Sequence, residues 1–530
     1  MEAEARHFVD RHVREVAPML RDSNLAAWEA ALTGREEALT TSAEARKVVK
    51  RVYARREEFT EMRRLLAAGE IGDALLHRQL VVLDHAYTAN QLPPDTIEDL
   101  TNRESELEGI FYNFRARIDG VEASNNELRE MLCATGDGER RRRIWEASKA
   151  IGPVVAPLLR ELVKRRNAAA RQLGYRDYYA MELTLQEFDE EALFALLDDF
   201  KRRSEDSFRE LRQSLDAELA ARHGVAPAAV RPWHFEDFFS QEAPRSEELD
   251  LDPIFEARDL EKVARDYFAS VQLPVDDVLA RSDLYEREGK DQHAFCTAID
   301  RNGDVRMLCN LRPDERWMKT LLHEIGHAVY DKFLPASLPF LVRTAAHTLS
   351  TESIAMYFGR LTRDSEWLRV RLDIELDPDR IAVLHEQQRL SMLIAARWML
   401  VMVYFERELY ADPDRDDLND LWWDLVEEHQ LVRRPEHRDQ PDWATKVHLS
   451  LAPVYYHNYL LGELMASQLT YAMRREGTEP DQVGEFLRER IFDRGASLHW
   501  NDLLREATGE PISARHFVEQ FVGEEIAPGA

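Results

Sequence analysis

The sequence predicts a mostly α-helical protein with one small β-hairpin, and three observations predict it. Apolar residues recur at three- and four-residue intervals through residues 1 to about 220, as in Leu75, Leu76, Leu80 and Leu83. Breakers in that stretch are few: Gly120, Gly136-Asp137-Gly138, Gly152-Pro153 and Gly174. Only one pair of strand-like runs, around residues 293–310, flanks an Asn-Gly turn signal.

Taken in order, residues 1–220 read as successive helices, with Trp28 and Trp145 as core and Arg140 to Arg143 as a solvated helix face. Pro227, Pro232, Pro244 and Pro253 break the pattern between Gly224 and Pro253, a connector or a cleft-lining loop. Helical periodicity resumes from Ile254 to Gln272. His293–Ile299 and Val305–Asn310 form the hairpin, because Asn302 and Gly303 both tolerate positive φ. Such a hairpin could take up a peptide as an added strand, or be a small structural sheet. Ile394 to Phe405 is the most apolar run, but it contains Arg397 and is too short to cross a bilayer, so it reads as a buried helix.

Charge and cysteine content narrow the function classes. A net charge of −29 repels phosphate backbones, which argues against a nucleic-acid partner. Cys133, Cys296 and Cys309 make no disulfide framework, and the start of the chain is acidic without an apolar stretch. A cytoplasmic protein with no membrane partner is expected.

The stretch around His323-Glu324-Ile325-Gly326-His327 carries the chemistry. Two His at i and i+4 stand on one helix face, one turn apart, where they can share a metal ion. Glu324 lies beside that ion and can take a proton from water without being a ligand. A catalytic zinc needs a third protein ligand. Glu352, 25 residues after His327, begins another helical pattern with Ser350 or Thr348 as a cap. It is either that ligand or a first-turn Glu favoured by the helix dipole. Further on, Lys446-Val447-His448 and Tyr455-Tyr456-His457-Asn458-Tyr459 gather donors suited to an oxyanion and to a carboxylate. Taken singly, a Tyr is ordinarily core and a Lys ordinarily solvated.

These residues resemble the angiotensin-converting-enzyme-like peptidyl-dipeptidases, which are gluzincins. The likeness runs through His-Glu-Ile-Gly-His, Leu334 to Leu338, Thr351-Glu352-Ser353-Ile354, His293-Ala294, Trp423-Asp424-Leu425, Lys446-Val447-His448 and Tyr456-x-x-Tyr459, with Asn167-Ala168-Ala169 and Gly174 to Asp177 upstream. It implies a single helical ellipsoid divided by a deep substrate channel. Residues 1–220 would supply lid and wall, and 221–530 the zinc-site and substrate-binding half. It implies one zinc ion on His323, His327 and Glu352, with Glu324 as base and then acid. His448 and Tyr459 would face the oxyanion. Lys446 and Tyr456 would hold the substrate's C-terminal carboxylate, and His293 and Ala294 its backbone.

The chain departs from that family at several positions. Extra residues after Pro453 set Tyr455 against Tyr456 for one role. Asn458 stands where the animal enzymes have a chloride-binding Arg, Met356 where the family has an Asp, and Cys309 has no partner at the family's disulfide position. The function expected is a zinc metallopeptidase that releases C-terminal dipeptides from short peptides. The tyrosine cluster also resembles thimet oligopeptidases and oligoendopeptidases, which cut internally. A peptide-binding protein without turnover is the reading from another class.

Overall fold

The computed structural model describes residues 1–69, 71–244 and 249–523. They are mostly α-helical, with two two-stranded sheets among them. Two compact units emerge. One comprises Met1–Gln91, Glu248–Leu384 and Leu461–Phe517; the other comprises Leu92–Glu247, His385–Leu460 and Val518–Ala530.

In the first unit, the opening helix Glu2–Thr33 packs its apolar stripe, Ala5, Phe8 and Val9, against Met62, Leu65, Leu76, Leu80 and Leu83. The helix Glu315–Phe333 carries the His-Glu-x-x-His sequence. Asp314 caps it by accepting from the Trp317 N–H at 2.7 Å. It packs on the helix Thr348–Gly359 and on the hairpin formed by β3 (Phe295–Ala298) and β4 (Val305–Leu308). Gly326 decides how closely the two helices approach. A Cβ there would lie 2.6 Å from Ala355 Cα and 3.0 Å from Ala355 N, so only glycine lets the backbones touch.

In the second unit, the run read as a buried helix lies within Pro378–Ala411. Its Arg397 is fully buried, and its two terminal nitrogens donate to Glu205 at 2.8 Å, Ser204 Oγ at 3.0 Å and the Lys201 carbonyl at 3.1 Å. That fixes it against the long helix Glu190–His223.

Four local expectations need correction. A second hairpin interrupts the N-terminal helices: β1 (Ala116–Ile118) pairs antiparallel with β2 (Val121–Ala123). Its turn residues Asp119 and Gly120 have φ of 51° and 83°, both positive as a two-residue hairpin turn demands. In the β3–β4 turn the positive φ values fall on Arg301 and Gly303 rather than on Asn302 and Gly303. Of the basic run 140–143, Arg141 is buried, its guanidinium donating to the carbonyls of Leu132, Thr135, Trp233 and Phe235. A buried charge is tolerated on those terms, because each guanidinium nitrogen has a carbonyl acceptor. Finally, the cap of Thr348–Gly359 is His347, which accepts from the Leu349 N–H, and not Thr348 or Ser350. Glu352 therefore lies beyond the first turn, where the helix dipole no longer accounts for it.

Gly326→Ala is expected to lower the unfolding free energy by about 1–3 kcal/mol, the cost of forcing a methyl into a closed contact. Chemical denaturation measures it, and an unchanged midpoint would contradict the close approach.

Candidate metal and substrate site

The helix Glu315–Phe333 presents His323 and His327 one turn apart, ring centres separated by 4.9 Å and planes nearly perpendicular. The crossing helix brings up Glu352. Its Oε2 stands 3.7 Å from His323 Nε2 and 3.9 Å from His327 Nε2, and the three donors all lie within 4.8 Å of one another. These separations are too long for hydrogen bonds. They are close to what a shared ion requires, since atoms about 2 Å from one tetrahedral centre sit roughly 3.3 Å apart.

The protonation states agree with metal binding. Burial pushes the His323 imidazolium down to about 3 and the His327 imidazolium down to about 4, so both rings are neutral and keep a lone pair to donate. His327 Nδ1 is 2.7 Å from Thr351 Oγ1. With Nε2 turned to an ion, Nδ1 carries the proton and donates to that hydroxyl, which fixes tautomer and ring plane together. Gly462 packs close behind, where a Cβ would lie 3.2 Å from Glu352 Cβ and 3.0 Å from Met356 Sδ. Glu324 is buried beside the set. Burial first, and the Glu352 carboxylate second, raise its carboxyl to about 8, within reach of a proton-transfer role near neutral pH.

His293 and Ala294 lie just ahead of β3 in the same unit. His293 is almost wholly exposed, with Nδ1 3.4 Å from Asp291, and Ala294 is half-buried. β3 pairs with β4 through Phe295↔Leu308 to Ala298↔Val305, and among the described residues no strand pairs with its other edge.

The second unit gathers the four residues expected from positions 446 to 459. Lys446 Nζ lies 4.9, 5.2 and 5.7 Å from the ring centres of Phe239, Trp398 and Tyr456. It donates to Gln241 Oε1 at 2.9 Å, and burial lowers its ammonium to about 8, against the pull of Asp237 and Glu242. The Tyr456 hydroxyl accepts from Trp398 Nε1 at 3.2 Å. The Tyr456 ring is 5.0 Å from His448 and 5.4 Å from Tyr459. Of the competing pair, Tyr456 is thus the one beside Lys446, while the Tyr455 ring sits 5.1 Å from Tyr459. His448 is held neutral, its imidazolium lowered to about 4 by burial with Lys446 adding to it.

Phe239, Gln241 and Trp398 were not singled out in the sequence, and Thr351 was given no role of its own. Gln241 and Phe239 sit in the proline-broken stretch, which has no periodicity to mark them, and Trp398 looks like any other core tryptophan. Thr351 stands next to Glu352, where a helix-capping role was the simpler reading of its neighbours.

Comparison with known proteins sets this arrangement in context. Residues 279–523 match the model of Peptidase family M3, and residues 1–221 match that of Angiotensin-converting enzyme. The chain is similar to both families, each over one part of its length. That is the resemblance expected from the motifs, and both matches support a metallopeptidase. Carboxypeptidase 1 of Bacillus subtilis (strain 168) is 25% identical over 268 residues, which cover 43% of this chain and 51% of that protein. Mitochondrial intermediate peptidase of Eremothecium gossypii is 22% identical over 235 residues, covering 42% of this chain and 29% of its own. The chain thus spans about half or less of the length of these relatives. Among the described residues no helix is long and apolar enough to cross a membrane.

Thr351→Val, which keeps the shape and removes the hydroxyl, is expected to weaken metal binding roughly ten- to hundredfold. Thr351→Ser should retain most of the affinity. Competition against a chelator of known affinity checks both.

Proposed function

We propose that this protein is a zinc metallopeptidase acting on short peptides and releasing dipeptides from their C-termini. The observation that carries the reading is the convergence of His323, His327 and Glu352, with the buried Glu324 carboxyl beside them. Two neutral imidazoles and one carboxylate are the donor set zinc favours, and they leave a position for solvent. When bound, zinc supplies Lewis acidity to water and to the scissile carbonyl.

The chain's own residues do the rest. Glu324, ionised beside a bound cation, takes a proton from the attacking water and, now neutral, returns it to the leaving amine. Carried over from the resemblance, Tyr459 and His448 donate to the oxygen on which charge develops. The neutrality of His448 suits it to donate one N–H without adding a competing charge. Lys446 and Tyr456 hold the terminal carboxylate of the substrate. The ring-walled setting of Lys446 supports this, because it leaves the ammonium with one neutral amide acceptor and no carboxylate within ion-pair reach among the described residues. His293 and Ala294 align the peptide backbone along the β3 edge, with which no strand pairs among the described residues. The work takes place in the cytoplasm.

A second reading is a thimet-type oligopeptidase that cuts internally, favoured by the match of residues 279–523 to family M3. The two differ in their dependence on a free C-terminus.

Glu324→Gln is expected to bind metal normally and to lose at least about a hundredfold in kcat; full turnover in that variant would refute the role. Metal analysis followed by chelation and zinc restoration, scored on short peptides, separates a peptidase from a peptide-binding protein. Lys446→Ala should raise KM roughly ten- to hundredfold for peptides with a free C-terminus and much less for amidated ones. Equal effects on both favour the internal cutter.

A further inference from the structure

Between His448 and Tyr456 the backbone turns at Val454, which is buried and adopts φ of 53°. A β-branched residue in the left-handed region is strained, because its γ-carbons crowd the backbone, and it stays there only where its surroundings hold it. Two side chains hold this peptide from opposite ends. The Val454 N–H donates to Glu406 Oε1 at 2.8 Å, and the Val454 carbonyl accepts from Gln186 Nε2 at 3.2 Å. Gln186 Oε1 in turn accepts from Asn458 Nδ2 at 3.2 Å, which ties the turn to the first residues of the helix His457–Glu476 that carries Tyr459.

We propose that Glu406 and Gln186 are positioning residues that clamp Val454 in its strained conformation and thereby fix where Tyr456 and Tyr459 stand. The geometry makes the lever plain. A return of Val454 to the ordinary negative φ region turns the following chain about its N–Cα bond by roughly 100°. Two residues on, Tyr456 must still meet the Trp398 indole at 3.2 Å and the His448 ring at 5.0 Å. Glu406 has no part in the peptidase steps and is buried, its carboxyl raised by that burial to about 8. A buried acid is costly to keep without a purpose, and a clamp on a strained peptide is one. The effect on turnover rests on the roles given above to Tyr456 and Tyr459, whereas the clamp itself does not.

Three variants test it. Glu406→Leu removes the acceptor and fills the space. Glu406→Gln keeps a carbonyl acceptor for the same N–H. Glu406→Leu combined with Val454→Gly gives the turn a residue that takes positive φ unaided. Two readings are taken: kcat and KM on a short peptide with a free C-terminus, and amide hydrogen exchange over residues 452–459. Glu406→Leu is expected to lose roughly ten- to hundredfold in kcat with a smaller change in KM, and to exchange faster in that segment. Glu406→Gln should follow the parent protein in both readings, and adding Val454→Gly to Glu406→Leu should recover most of the lost kcat. Unchanged exchange and kcat in Glu406→Leu overturn the proposal. So do faster exchange without loss of kcat, or a folded Glu406→Leu that Val454→Gly cannot restore. If the parent protein hydrolyses no peptide, the peptidase reading fails on its own. Exchange then decides the clamp: fast in Glu406→Leu and slow in Glu406→Gln upholds it, and equal rates overturn it.

Discussion

One contact governs the candidate metal site: the backbone of Gly326 against the backbone of Ala355. A His pair on a single helix turn is a local matter, settled by 3.6-residue periodicity. The third donor comes from another helix, and its reach is set by how near that helix can come. Glycine between the two His leaves no Cβ in that contact, and Glu352 then arrives with Oε2 3.7 and 3.9 Å from the two imidazoles. Gly462 repeats the device, so the helix that carries it closes on the Glu352 Cβ and the Met356 sulfur. The ligands stay fixed because the helices beneath them have no slack.

Burial sets the charge state of nearly every group around this chemistry. The same desolvation lowers the imidazoliums of His323, His327 and His448 and raises the carboxyls of Glu324 and Glu406. Neutral imidazoles can donate lone pairs, and an acid near 8 can both receive and return a proton. Burial is the first cause in each case, and like charges nearby, Glu352 beside Glu324 and Lys446 beside His448, push in the same direction.

What the sequence revealed followed physical range. The His pair was legible because i, i+4 spacing is enforced by the helix itself. The hairpin at 295–308 was legible because two apolar runs around a turn signal are a local pattern, although the residues with positive φ were only half foreseen. Glu352 could be proposed from spacing but not assigned, since its role depends on a helix crossing that spacing does not encode. The β1–β2 hairpin was lost because three-residue strands carry no alternation, leaving Asp119-Gly120 to look like a break between helices. Arg141 was misjudged for the same reason. Its four carbonyl acceptors come from segments up to 94 residues away, and no window of sequence joins them. The Lys446 setting was half visible: the lysine and the tyrosine lie ten residues apart, while Phe239, Gln241 and Trp398 come from elsewhere in the chain.

The hydroxyl behind His327 has a consequence of its own. A carboxylate in that place would feed negative charge through the imidazole to whatever the ring holds. Thr351 supplies orientation without charge. A dication held by two uncharged rings and a single carboxylate would be only half neutralised. Under the proposed function, such a cage would favour a strongly electrophilic occupant over a tightly retained one.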